Sequence, residues 1–164
     1  MAEEATQATQ EQAAGPRLAL QKIYIKDASF EVPKGHESFQ KQWKPEVKLD
    51  MNLAIKKINE TNYELTLGLT VTAVNDGENA FLVEIQQAGI FLIDGMSEEQ
   101  RRQVLNTACA NMVFPYAREA IDSMVTKGGF PALMLAPINF DAVYQQAVAR
   151  RQAEQQAEGS EALN

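Results

Sequence analysis

The sequence predicts an α+β fold, a four-stranded antiparallel sheet followed by helices packed on one of its faces. Two observations predict it. Up to about Gly95, apolar and polar residues mostly alternate, the period-two pattern of half-buried strands. Beyond Gly95 the apolar residues recur at every third or fourth position, as on amphipathic helices. Strands therefore precede helices, the order of an α+β domain.

The first strand is the least regular. Leu18 and Leu20 share one parity, Ile23 and Ile25 the other, and Phe30 and Val32 return to the first, so this strand must bulge, bend or be buried on both faces. Pro33-Lys34-Gly35-His36 separates it from a further extended piece, Phe39 to Trp43, which Pro45 follows. Val47, Leu49, Met51, Leu53 and Ile55 then alternate with polar neighbours as the second strand. After the turn-like Asn59-Glu60-Thr61-Asn62, Tyr63, Leu65, Leu67, Leu69, Val71 and Ala73 make the third. Asn75-Asp76-Gly77 supplies residues that tolerate the positive φ of a tight hairpin, and Phe81, Val83 and Ile85 resume the buried face. The last three strands form an antiparallel meander.

Ser97 with Gln100 makes a capping box for a helix of about four turns, with Val104, Leu105, Ala108, Cys109 and Met112 on one stripe. Phe114-Pro115 is expected to interrupt it, with Pro115 in the first turn of a second, shorter helix that runs to Lys127 and stops at Gly128-Gly129. The linker Phe130 to Ile138 is unusually apolar for a connection that normally crosses a wet surface. Asn139 caps a third helix carrying Phe140, Val143, Tyr144, Ala147 and Val148.

The 164 residues, 45% of them hydrophobic, suffice for one core. Residues 1–16 and 152–164 are mostly Ala, Gln and Glu and bury too little to offset their ordering entropy. They are expected as flexible acidic tails around a single domain, 17–151, the second beginning as fraying helix.

A formal charge of -7 argues against a nucleic-acid partner, which needs a basic stripe. The start MAEEATQ lacks the features of a secretory signal, and no apolar stretch approaches the roughly 20 residues that cross a bilayer, so the expected location is the cytoplasm, without membrane insertion. Chemistry is sparse. The only histidine, His36, sits in a Pro/Gly loop, and the only cysteine, Cys109, lies in a helical apolar stripe where a thiol usually acts as a small hydrophobe. A Cys/His dyad is formally possible, but neither residue has a second ligand at zinc spacing. Gly128-Gly129 follows a helix, the wrong end of the dipole for a phosphate. No enzyme, cofactor or metal is expected. What stands out is apolar surplus: one small sheet does not cover three helical stripes and the Phe130–Ile138 linker. A homo-oligomer would hide it, and a groove for extended apolar polypeptide would use it, with Met residues adapting to different partners.

The segments FQKQWKPEVKLD (Phe39 to Asp50), VEIQQAGIF (Val83 to Phe91) and NMVFPYAREAIDSMVTKGGFPALMLAPINFDAVY (Asn111 to Tyr144) closely resemble the SecB family of bacterial protein-export chaperones, and the similarity extends from about Leu20 to Tyr144. The resemblance implies a homotetramer built as a dimer of dimers, with the Ser97 to Met112 helix in a layer between two eight-stranded sheets. It implies an ATP-independent holdase that keeps secretory precursors unfolded and hands them to SecA, the motor of the Sec translocase. The family's motor-docking set maps onto Asp27, Glu31, Leu82 and Glu84. Strand parity agrees for Leu82 and Glu84, opposite in face to Phe81, Val83 and Ile85. Asp27 shares the parity of Ile23 and Ile25, so only a bend before it turns it outward. Charge in the C-terminal tail, at Glu154, Glu158 and Glu161, would serve a second contact with the basic, zinc-bearing end of the motor. Client-binding positions are implied at Trp43, Val47, Leu49, Met51, Ile121, Met124, Leu133 and Leu135, each of which also suits plain packing. Two other readings are a SecB-like chaperone of a toxin–antitoxin system and an adaptor that binds one folded partner.

Overall fold

A computed structural model describes residues 15–161, with side chains described up to residue 156. Strands β1 (Arg17–Glu31), β2 (Glu46–Lys57), β3 (Asn62–Asn75) and β4 (Glu78–Asp94) form one antiparallel sheet in the order β1-β4-β3-β2. The expected mobility of the N-terminal tail falls mostly outside the described residues.

Local chemistry explains the meander. Asn59 Oδ1 accepts the backbone N–H groups of Thr61 and Asn62, at 3.1 and 2.8 Å, and so builds the β2–β3 turn from a side chain. Asp76 and Gly77, with φ of 53° and 78°, form the two-residue β3–β4 turn, whose twist suits the flanking strands only with φ positive at both positions. Ala80 is an extra residue in β4 just beyond it.

Strand β1 resolves its own parity conflict with two bulges. Gln21 and Lys26 have no partner in the register with β4, and each shifts the alternation by one. Leu18, Leu20, Ile23, Ile25, Ala28 and Phe30 consequently all face the way of Ile85 and Val83, toward the helices. Gln87 occupies that face too, buried, and its Nε2 donates to the Tyr24 carbonyl at 2.9 Å beside the second bulge.

The expected extended piece from Phe39 to Trp43 is not a strand. Gly35–Phe39 is a turn of 3-10 helix, and residues 40–45 pair with no strand. Two contacts explain the change. Fully extended, Phe39 and Trp43 would stand about 13 Å apart. Instead both rings close on Phe130, at 4.9 and 5.2 Å, which requires a folded path.

Helix α1 (Glu98–Val104), a π-helical turn (Leu105–Cys109) and α2 (Ala110–Lys127) run on as one rod. The capping box is present in both directions, Gln100 N–H to Ser97 Oγ and Ser97 N–H to Gln100 Oε1. The expected break at Pro115 does not occur. Pro115 removes one amide donor, but it and Asn111, whose carbonyl loses that donor, lie on the exposed side of the rod. On the other side Val113, Ala117, Ala120 and Ile121 are buried in the core, and Phe114 is buried edge-on to Phe140 at 5.9 Å. Burial of Val113, Phe114 and Ile121, each worth about 1.5–3 kcal/mol, outweighs one lost bond. The rod ends in a Schellman cap, with Phe130 N–H to the Val125 carbonyl, Gly129 N–H to the Thr126 carbonyl, and Gly129 at φ 88°.

The core lies between the rod and the inner rows of β3 and β4. Gly89 permits the close approach, since a Cβ there would fall 2.7 Å from the Phe91 ring and 3.0 Å from Val113. The apolar linker is covered where it matters, with Phe130 and Leu135 buried and Leu133 N–H donating to Asp122 Oδ1 at 2.8 Å. Helix α3 (Phe140–Glu161) starts at the Asn139 cap, whose Oδ1 accepts from Ala142 N–H at 3.0 Å. The helices thus occupy one face and leave the other open.

Candidate functional site

The bulge at Lys26 decides what the open face presents. Beyond it Asp27 pairs with Gln86, Ser29 with Glu84, and Glu31 with Leu82, so Asp27, Glu31, Leu82 and Glu84 all point away from the helices. The bend that Asp27 requires is therefore there. Leu82 is half-buried among its strand neighbours Glu31 and Thr72, while the three carboxylates are exposed. Glu84 accepts from Thr70 Oγ1 at 3.5 Å, and among the described residues none of the three carboxylates is in a salt bridge. A depression of about 310 Å³ extends the patch across the sheet, where Asp50, Thr70 and Gln86 join Asp27 and Glu84. The surface offers negative charge around one leucine, a shape suited to a basic partner that buries a small apolar contact.

The same face carries a compensated neighbour. Glu64 accepts from Lys26 Nζ at 2.6 Å and from the Tyr24 hydroxyl at 2.7 Å. The Lys26 bond, followed by the Tyr24 bond, holds the Glu64 carboxyl below its ordinary range, and the same contact raises Tyr24.

The helix side holds the apolar positions, and it divides them. Val47, Leu49 and Met51 continue with Leu53 and Ile55 along the inner row of the edge strand β2, where the rod does not reach; Val47, Leu49 and Ile55 are exposed. Helix α3 leans over the far part of this row and closes a cavity of about 330 Å³, lined by Met51, Leu53 and Ile55 below and Val143, Tyr144 and Val148 above. Trp43 belongs elsewhere, to a cluster in which Phe81 and Phe130 lie 6.3 and 5.2 Å from it, Phe30 stacks 5.6 Å from Phe81, and Phe39 caps Phe130. Leu133 and Leu135 line a third depression of about 230 Å³ with Pro115 and Met134. Met124 is half-buried against the core and Ile121 is wholly buried in it. Phe30 and Phe39 are site candidates that sequence reasoning missed, and Phe130 entered it only as the start of the apolar linker. Their signal was available: Phe130 directly follows Gly128-Gly129, and Phe30 and Phe39 flank Pro33-Lys34-Gly35 within four positions.

Cys109 is fully buried, and burial pushes its thiol up to about 12, so it stays protonated and is no nucleophile at neutral pH. No helix among the described residues is long and apolar enough to cross a membrane.

Comparison with known proteins gives a consistent result. The family model of SecB, described as preprotein translocase subunit SecB, matches residues 11–151. The protein-export protein SecB of Hahella chejuensis is 52% identical over 147 residues, covering 90% of this chain and 92% of its own. That of Marinobacter nauticus is 52% identical over 161 residues, covering 98% of each. Among solved structures, a Mycobacterium tuberculosis SecB-like chaperone in complex with a peptide from an antitoxin aligns with a TM-score of 0.61 at 15% identity, over 74% of this chain and 91% of that one, a likeness of fold.

Proposed function

The chain belongs to the SecB family and is a protein-export chaperone, not an enzyme; from that premise we propose that it holds unfolded secretory precursors in the cytoplasm and delivers them to SecA. The observation that carries the delivery step is the shared outward face of Asp27, Glu31, Leu82 and Glu84. Exposed carboxylates around a half-buried leucine suit a basic docking partner, with charge steering the encounter and the leucine supplying the buried contact. Precursors take the other side. Extended chains engage the β2 row and the aromatic cluster around Trp43, and the adjoining apolar surfaces at Met124, Leu133 and Leu135, with Ile121 as support beneath. Several weak contacts on one long client add up to avidity without any nucleotide-driven step. The working unit is a homotetramer, a dimer of dimers, which presents several such faces to one client. The acidic end, through Glu154, Glu158 and Glu161, adds a second contact with SecA.

The division of labour between faces is testable. Leu82→Arg and Glu84→Lys should each weaken SecA binding by at least about tenfold, the scale of an interface anchor, while binding of several unrelated unfolded proteins persists. Binding of the folded forms of those proteins should stay undetectable. Equal loss of SecA and client binding, with the assembly intact, would overturn the assignment; binding a single folded protein would point to an adaptor instead.

A further inference from the structure

The inner row of β3 ends on an amide. Val71, Ala73 and Asn75 share the face turned toward the helices, and Asn75 is buried like the apolar residues before it. Its Oδ1 accepts the Lys44 backbone N–H at 2.8 Å, and its Nδ2 donates to the Gln42 carbonyl at 3.1 Å. One side chain thus supplies the pairing that a neighbouring strand would give to a segment that has no strand beside it. The residue between the two anchored peptide groups is Trp43.

We propose that Asn75 is a positioning residue for client binding: its amide fixes Trp43 as a preformed wall of the aromatic cluster. The inference rests on the chaperone reading above and deepens it. Other contacts also reach this loop. Lys41 bridges Asp76 and Glu78 at 3.1 and 3.0 Å, and Lys34 lies 3.5 Å from Glu78. All four of these side chains are well exposed, where ion pairs hold weakly and salt screens them. The Asn75 side chain is buried and its two bonds are part-buried, and losing them strips partners from two backbone groups at once. The latch also stands on a rigid base, the end of β3 at its two-residue turn. With Trp43 held, a client meets a formed surface; with Trp43 loose, only the fraction of molecules holding the bound-like loop is competent, and apparent affinity falls by that fraction.

Trp43 is the only tryptophan, so its emission reports the loop directly. The experiment compares the full chain with Asn75→Ala, Asn75→Asp and Lys41→Ala, reading emission, acrylamide quenching and affinity for reduced, carboxamidomethylated pancreatic trypsin inhibitor, a tryptophan-free chain that stays unfolded. Asn75→Ala should shift emission to the red, raise quenching about twofold and weaken the probe about fivefold. Asn75→Asp keeps the acceptor for Lys44 and loses the donor to Gln42, and should fall between. Lys41→Ala should leave all three readings near those of the unsubstituted chain. A lower Tm with unchanged emission and affinity would make Asn75 merely structural and overturn the inference, as would a red shift with unchanged affinity. Should Asn75→Ala fail to fold, Asn75→Asp decides by the same readings. Failure of the unsubstituted chain to bind the probe would instead overturn the chaperone reading itself, and the inference with it.

Discussion

Glu64 shows how one extra residue in a strand rearranges charge around it. Lys26, the unpaired residue of the second β1 bulge, reaches Glu64 across the open face, and Tyr24 reaches it from the same strand. The carboxyl is depressed first by the Lys26 bond, so its contribution to stability is present above the unfolded carboxylate value, about 4.3, and is lost as pH falls through the lower folded value. The Tyr24 shift runs the other way. A raised phenol favours the neutral hydroxyl, so that contribution holds below about 10 and fades as pH rises through the folded value. Urea midpoints of the wild-type chain and Glu64→Gln should therefore converge as pH falls from about 5 to about 3. A gap that persists unchanged at low pH would show that Glu64 acts through packing and not charge. This site was not legible in sequence, because Tyr24 and Glu64 are forty positions apart and their meeting depends on where the bulge falls.

At the scale of elements, what could be read in advance is what is decided locally. The Asp76-Gly77 turn, the Ser97/Gln100 box and the alternation of β2 and β3 each follow from a few adjacent residues, and each is present. Even the irregularity of β1 was visible as a double change of parity between Leu20 and Ile23 and between Ile25 and Phe30. The positions of the two bulges were not, since these depend on partners in β4. The rod through Pro115 and the folded path from Phe39 to Trp43 escaped for the same reason: burial of Val113 and Ala117, and closure of two rings on Phe130, are long-range effects that override a local signal. The bulge invites a direct test. Deleting Lys26 leaves Ile25 opposite Gln87 and Asp27 opposite Gln86, so regular pairing keeps Ile25 inward and Asp27 outward and removes only the bulge and the Lys26 bond to Glu64. The deletion should therefore cost no more than about 1 kcal/mol in a urea titration, the scale of one partly exposed ion pair, and leave Asp27 and Glu31 on the open face. A loss above about 3 kcal/mol would mean that the bulge itself, and not only the ion pair, stabilises the sheet.

For the whole molecule the proposed function asks one chain to keep apart two uses of apolar surface, assembly and client binding. The rod covers the middle of the sheet and leaves Val47, Leu49 and Ile55 exposed on β2, while Met112 and Tyr116 are exposed on the rod itself, at 41% and 52%. The β2 row lies on an edge strand, with α3 leaning over Met51, Leu53 and Ile55 only, and on the proposed function this edge takes the extended client. Met112 and Tyr116 instead belong to a helix, a convex surface that another helix covers well, as a closed, symmetric assembly requires. The two uses thus fall on different shapes. Particle mass in solution should come to roughly four times the 18.2 kDa of one chain. Met112→Lys, which places a charge where rods would pack, should lower that mass to about half, because a desolvated, unpaired ammonium at an interface is costly. Val47→Lys should leave the mass unchanged and weaken binding of unfolded polypeptide instead. If Val47→Lys dissociates the assembly while Met112→Lys leaves it intact, the two surfaces have exchanged roles, and the β2 row is the subunit contact.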